Sequence, residues 1–151
     1  MRAIIIGSSR GQTRLSAEHS YPSYLVKIPN KDASLLDWTL NELKKINIQD
    51  TIFIAGYHVE KIIKNYPGLK IFYNDDWENN NSLNLLSLVS NFLDQDVIII
   101  NSNVLFRANL IKKNLLINSS FIISNDKKFN LDKSIFFFKK PDLNILKKNI
   151  L

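Results

Sequence analysis

Arg2-Ala3-Ile4-Ile5-Ile6-Gly7-Ser8-Ser9 decides the fold. A short β-branched apolar run that stops at Gly-Ser-Ser reads as a buried strand ending in a loop. The same grammar recurs down the chain. Thr51 to Ala55 is a second such run, closed by Gly56, and Leu69 to Tyr73 is a third. Val97 to Ile100 is a fourth, apolar throughout and so expected to be buried on both faces. Segments of helical period lie between them. Ser34-Leu35-Leu36-Asp37 has the form of a capping box, with Ser34 capping and Asp37 reaching back. Leu36, Leu40 and Leu43 then fall on one face, with Ile46 following. Tyr57 to Tyr66 reads as a short helix stopped by Pro67-Gly68. Ser82 to Leu93 reads as another, with Leu85, Leu88 and Phe92 on one face.

The order is therefore β-loop-α-β-α-β-α-β, which gives a mostly parallel sheet covered by helices. Parallel crossovers are right-handed, and ligands collect at the carboxyl ends of the strands. The loops after Ile6, Ala55 and Ile100 are expected to meet there. Residues 7 to 33 form a long loop of the kind that is functional or mobile. Further on, Ala108 to Leu116 reads as a helix, and Phe121 to Ser124 and Ser134 to Phe138 as strands. Pro141 to Leu151 reads as a basic helix with Pro141 near its first turn. Neither a repeat nor a linker is visible, so residues 1–151 are expected to form one domain.

The 151 residues are 45% apolar and have a mean hydropathy of -0.10, an ordinary balance for a globular protein. With no cysteine in the sequence, disulfides, thiolate catalysis and Cys-based zinc sites are excluded. Met1 to Gly7 is too short for a signal peptide, and no apolar run approaches the roughly 18 residues of a membrane span. A cytoplasmic protein without a membrane partner is the expectation. The net charge is +6. It is spread over scattered lysine pairs such as Lys44-Lys45, Lys112-Lys113 and Lys147-Lys148, which reads as a solvated surface rather than a nucleic-acid face.

Three segments, in order, carry a resemblance to a known family. The first is Ala3-Ile4-Ile5-Ile6-Gly7-Ser8-Ser9-Arg10-Gly11-Gln12-Thr13-Arg14-Leu15. The second joins Tyr21-Pro22-Ser23-Tyr24-Leu25 to the helix from Leu35 and to Ile48 to Ile62, with Gly56-Tyr57 and Glu60-Lys61-Ile62. The third is Tyr73-Asn74, then Asn84-Leu85-Leu86-Ser87-Leu88, then Ile99-Ile100-Asn101-Ser102-Asn103-Val104-Leu105-Phe106. Over roughly residues 1 to 125 the chain resembles the sugar-phosphate and choline-phosphate nucleotidyltransferases. The resemblance implies a Rossmann-like three-layer α/β/α core, the GT-A-like core of that family in truncated form. It implies transfer of a nucleotidyl group from a nucleoside triphosphate to a phosphorylated sugar or choline-like alcohol, with Mg²⁺ and release of pyrophosphate, in surface polysaccharide synthesis. It also allows a homo-oligomer or a partner chain.

Carried over residue by residue, the resemblance implies nucleotide binding by Ile6, Gly7, Ser8, Ser9, Arg10, Gly11, Gly56 and Asn84, with Arg14 on the pyrophosphate. The chemistry needs such residues because phosphoryl transfer asks mainly for positioning and charge neutralisation. Backbone N–H groups of a Gly-rich turn hold phosphate oxygens, and an Arg offers a planar fork. The departures fall on catalytic positions. The family Lys aligns with neutral Ser23, and the metal-binding Asp aligns with Asn103, which offers Mg²⁺ one neutral oxygen. The first loop glycine aligns with Ser9. Lys27, four residues past Ser23, is the candidate substitute for the lost Lys. It would lie about 13 Å from Ser23 on an extended strand.

Three readings follow: a nucleotidyltransferase, a weakly active or inactive relative kept for nucleotide or partner binding, and a nucleic-acid binder motivated by charge alone. The sequence favours the second, because charge stabilisation is normally the largest catalytic term. Among other residues, His19 and His58 read as surface histidines. Asp75, Asp76 and Glu78 read as turn residues more than as a metal site, and Asn79 to Asn81 as a loop. Trp38 and Trp77 read as packing residues, with Trp77 near the cleft. Phe136 to Phe138 read as a core strand or, if uncovered, a dimer surface.

Overall fold

The computed structural model describes residues 1–8, 22–79, 82–114, 120–123 and 134–140. Within them lie six strands: β1 (Arg2–Gly7), β2 (Thr51–Ala55), β3 (Lys70–Tyr73), β4 (Val97–Asn101), β5 (Ser120–Ile123) and β6 (Ser134–Phe138). The α-helices are α1 (Leu35–Lys44), α2 (Val59–Asn65), α3 (Ser82–Ser87) and α4 (Ala108–Asn114). One sheet runs in the order β3-β2-β1-β4-β6-β5. β1, β2, β3 and β4 are mutually parallel, and β6 pairs antiparallel with both β4 and β5. The expected helix from Pro141 lies outside the described residues.

β1 is central because its run of isoleucines is paired on both edges, to Thr51–Ala55 on one side and Val97–Asn101 on the other. Strand alternation sends neighbouring residues to opposite faces, and two cores result. One gathers Ala3, Ile5, Phe53, Ile98, Ile100 and Phe137 of the strands with Leu36, Leu43, Ile62 and Ile111 of α1, α2 and α4. The other gathers Ile4, Ile52, Ile54, Val97 and Ile99 with Leu85, Leu86, Val89 and Leu93. The layers are thus helix, sheet, helix, and all four apolar positions of β4 are buried as expected. Phe137 enters the first core, and Phe136 and Phe138 pack against the second, which is the core-strand reading of that triplet.

The expected helices differ in two places. α2 begins at Val59, two residues late, because His58 sits in a left-handed turn with φ 53°. The expected helix over Ser82 to Leu93 breaks after Ser87 and resumes as a single 3-10 turn, Ser90–Phe92. The break frees the Phe92 carbonyl for the Arg2 guanidinium, which donates to it at 2.6 Å and also lies 5.4 Å over the Phe92 ring. It leaves Leu88 exposed rather than on the apolar face. The described part of the long loop is ordered: a 3-10 turn at Ser23–Leu25 is followed by an antiparallel bridge between Lys27 and Ser34.

Candidate functional site

Four strands end side by side at one edge of the parallel sheet, and backbone hydrogen bonds bind the segments that follow them. The Ser102 N–H donates to the Ile6 carbonyl at 2.8 Å, which fastens the turn after β4 to β1. The Tyr57 N–H donates to the Ser8 carbonyl at 2.9 Å, which fastens the turn after β2 to the chain leaving β1. The Asn74 N–H donates to the Ala55 carbonyl at 2.8 Å and adds the end of β3. The three loops expected to meet therefore do so. Gly56 is required where they cross, because a Cβ there would run into Trp77 and the Ser8 carbonyl oxygen. A Cβ at Gly7 would run into the Phe53 ring.

The Ser23–Leu25 turn is drawn to the same edge by Tyr24. Its ring is fully buried edge-on to Phe53, 5.0 Å between centroids, and its hydroxyl donates to the Tyr57 carbonyl at 3.1 Å. Burial, with the charge of Glu60, pushes the Tyr24 hydroxyl well above its ordinary pKa. Ser23, next to Tyr24 in this turn, is a buried neutral residue. Tyr57 in turn stacks at a tilt on Trp77, 5.1 Å away, and the Glu60 carboxylate accepts from the His58 Nδ1 at 2.6 Å.

Of the residues singled out in the sequence, Ile6, Gly7, Ser8, Gly56 and Ser23 are brought together here. Ser9, Arg10, Gly11 and Arg14 lie outside the described residues, as do His19, Asn80 and Asn81. Asn84 stands in α3, but its side chain lies outside them too. Lys27 is exposed, and its ammonium is engaged by Asp32 at 3.1 Å. Asn103 follows β4 in the turn fastened by Ser102, and its Oδ1 is buried without a hydrogen-bond partner. Asn74, which sequence reasoning did not select for the site, is 5% exposed with an unpartnered Nδ2. Its sequence signals were its place just after a strand and its membership of the Tyr73-Asn74 pair that opens the third segment of the resemblance. Two amide groups with unmet hydrogen bonds thus stand at the ends of β3 and β4, and such buried groups ask for a partner.

Magnesium prefers six oxygens and is usually held by one or two carboxylates plus phosphates. Among the described residues no group of three or more His, Asp or Glu could hold a metal ion. Asp76 is occupied within its own turn, accepting from the Asn79 amide at 2.8 Å. The Asn103 oxygen alone does not make a magnesium site, so the described donors do not fit a protein-held ion.

No family profile matches the chain. It is 28% identical over 125 residues to the choline-phosphate cytidylyltransferase of Streptococcus pneumoniae, covering 82% of this chain and 53% of that protein. It is 25% identical over 120 residues to a CMP-5'-(3-aminopropyl)phosphonate synthase of Streptomyces rubellomurinus, covering 75% of this chain and 19% of that protein. The chain spans about half or less of the length of these curated relatives. Among solved structures, it resembles the CTP:phosphocholine cytidylyltransferase of S. pneumoniae with a TM-score of 0.69 at 22% identity. That match covers 99% of this chain and 75% of the other. A putative glucose-1-phosphate thymidylyltransferase of Bacillus anthracis matches with a TM-score of 0.66 at 14% identity, over 98% of this chain and 75% of that one. The fold is that of the nucleotidyltransferases, and the sequence likeness points the same way. No helix among the described residues is long and apolar enough to cross a membrane.

Proposed function

We propose that the chain, with a nucleotidyltransferase-like fold and with neutral Ser23 and Asn103 where the resemblance implies a Lys and an Asp, binds a nucleoside triphosphate at the ends of β1, β2 and β4 and transfers its nucleotidyl group slowly or not at all. The observation that carries this reading is the crossing at Gly56. There the chain leaving β1 is hydrogen-bonded to the turn after β2 and the Trp77 side chain closes on the same point, so that only glycine fits and the strand-end loops are held in fixed positions beside one another. The relatives' names share a cytidine nucleotide, and the solved cytidylyltransferase is named for CTP, which makes CTP the first ligand to try. Within the cradle, backbone N–H groups orient the triphosphate, and Ser23 and Asn103 supply dipoles where full charges would do more. Neutral groups hold a polyanion but stabilise the growing charge of a transition state poorly, and that charge is where catalysis gains most.

A second reading, an active cytidylyltransferase, is favoured by the match to choline-phosphate cytidylyltransferase along 82% of this chain. Calorimetric titration with CTP, paired with a pyrophosphate-release assay over phosphocholine and sugar phosphates with and without Mg²⁺, separates the two. Saturable CTP binding with little or no pyrophosphate is the expected result. Turnover at ordinary enzymatic rates, on the order of 1–10³ s⁻¹, would establish the second reading. Absence of nucleotide binding would remove both.

A further inference from the structure

Between α1 and the last residues of the loop after β4, one indole ring gathers three cations. The Trp38 Nε1–H donates to the Phe106 carbonyl at 2.6 Å, which fixes the ring between α1 and the segment leading into α4. Around it stand Arg107, 4.8 Å from the centroid, Lys31 at 5.5 Å and Lys45 at 5.9 Å. Each lies within the range at which a cation is attracted to an aromatic face. The ring thus holds together three like charges that repel one another.

One carboxylate stands beneath them. Glu42 is 2% exposed, and both of its oxygens are in use. One accepts from Lys45 at 2.5 Å and the other from the Ala108 N–H at 2.6 Å. Burial pushes the Glu42 carboxyl up. The Lys45 and Ala108 hydrogen bonds and the charges of Lys45 and Arg107 outweigh this and hold it below the usual carboxylate range. Glu42 is therefore ionised and spent on Lys45 and Ala108. Lys31 and Arg107 take part in none of the ion pairs among the described residues. Two clefts open here, of about 410 and 400 Å³, sharing Glu42 and Lys45. The first also takes in Trp38 and Lys44, the second Arg107. The second shares Arg107 with the loop that follows β4, and neither shares a residue with the loops after β1, β2 and β3.

We propose that the Trp38–Lys31–Lys45–Arg107 cluster is a second ligand site, one that takes a phosphate-rich anion. A chain of phosphates supplies the charge that Glu42 does not. The planar Arg107 fork suits phosphate oxygens, and the two lysines add point charges around the same ring. The same chemistry belongs to inorganic polyphosphate and to the triphosphate of a nucleotide. The proposal does not rest on the nucleotidyltransferase reading: its four side chains are not among those assigned to the strand-end cradle, though Arg107 shares the loop after β4 with Asn103.

Trp38 is one of only two tryptophans, so its emission isolates this site in the full chain carrying Trp77→Phe. That protein is titrated at low salt with inorganic tripolyphosphate and, separately, with CTP. A saturable change in Trp38 emission is expected with tripolyphosphate. The Lys31→Ala/Arg107→Ala double variant, altered only at exposed positions, should weaken it by about tenfold or more, and Arg107→Lys should keep most of it. Raising the salt should weaken binding as the charges are screened. Equal affinity for both probes identifies phosphate alone as the ligand, and tighter CTP binding adds the base. No saturable change with either probe overturns the proposal, as does a change that survives in a double variant whose circular dichroism matches the parent. Either result leaves nucleotide binding at the strand ends, read by calorimetry on the unmutated chain, untouched.

Discussion

Ser23 and Asn103 hold the electrostatic question. Their selection came from resemblance alone, because a serine and an asparagine have no signature in composition or period. The folded chain adds a physical reason at Asn103, the unpartnered buried Oδ1, and an unpartnered donor at Asn74, quoted within the resemblance but given no role there. If the neutral pair limits the site, then Ser23→Lys and Asn103→Asp should change how tightly triphosphate is held. Each restored ionic contact is expected to contribute about 1.5–3 kcal/mol, the usual range for hydrogen bonds to charged groups. The double variant should depart from additivity, since both groups act through one phosphate chain. Ser23→Lys buries a charge in the free protein and should also lower its stability until ligand binds. Calorimetry on the four proteins, with CTP in the presence and absence of Mg²⁺, reads all of this. Unaltered affinity in a folded double variant would mean that these positions do not border the ligand.

The start of α1 was legible residue by residue because a capping box is local chemistry. Ser34 accepts the Asp37 N–H at 3.0 Å, and Asp37 accepts the Ser34 N–H at 2.7 Å. Invisible in the sequence was the third member: the Tyr66 hydroxyl, from just past α2, donates to Asp37 at 2.8 Å and lies 2.9 Å from the Ser34 hydroxyl. The cap thus ties two helices, and burial pushes the Tyr66 hydroxyl up to about 12. Ser34→Ala should lower stability by about 1 kcal/mol, within roughly 0.5–2. Its effect should be non-additive with Tyr66→Phe, as urea midpoints of the single and double variants will show. A fully additive pair would reduce the tyrosine to a bystander. The misread helices have the opposite cause. The turn at His58 and the break after Ser87 answer to distant partners, the crowding at Gly56 and the reach of Arg2, which a helical period cannot encode.

At the scale of the whole chain, three carboxylates fasten separate pieces: Asp37 the cap of α1, Glu42 the α1–α4 contact, Asp96 the start of β4 to the end of β6. Asp96 is held below the usual range first by the Lys140 N–H and then, against burial, by Lys139. For Asp37, burial raises the carboxyl, but the Ser34 and Tyr66 hydrogen bonds and the charge of Lys27 bring it lower. All three folded values lie below the ordinary ones. Their stabilisation is therefore complete above the unfolded values near 4 and is lost as pH falls through the folded ones. Urea midpoints should be level between about pH 5 and 7 and fall below about pH 4, with a shallower fall in Asp96→Asn. A midpoint that rises on acidification would contradict the assignment. The parallel half of the sheet was readable because each apolar run is followed by its crossover. The insertion of β6 between β4 and β5 was not, since a long-range antiparallel pairing has no local mark. That insertion sets a schedule for the growing polypeptide. The partner of β4 on that side is made some 37 residues after β4 itself, roughly two to seven seconds at about 5–20 residues per second. Through that interval a run of four buried aliphatic residues presents an open strand edge, the surface on which nascent chains stick to one another.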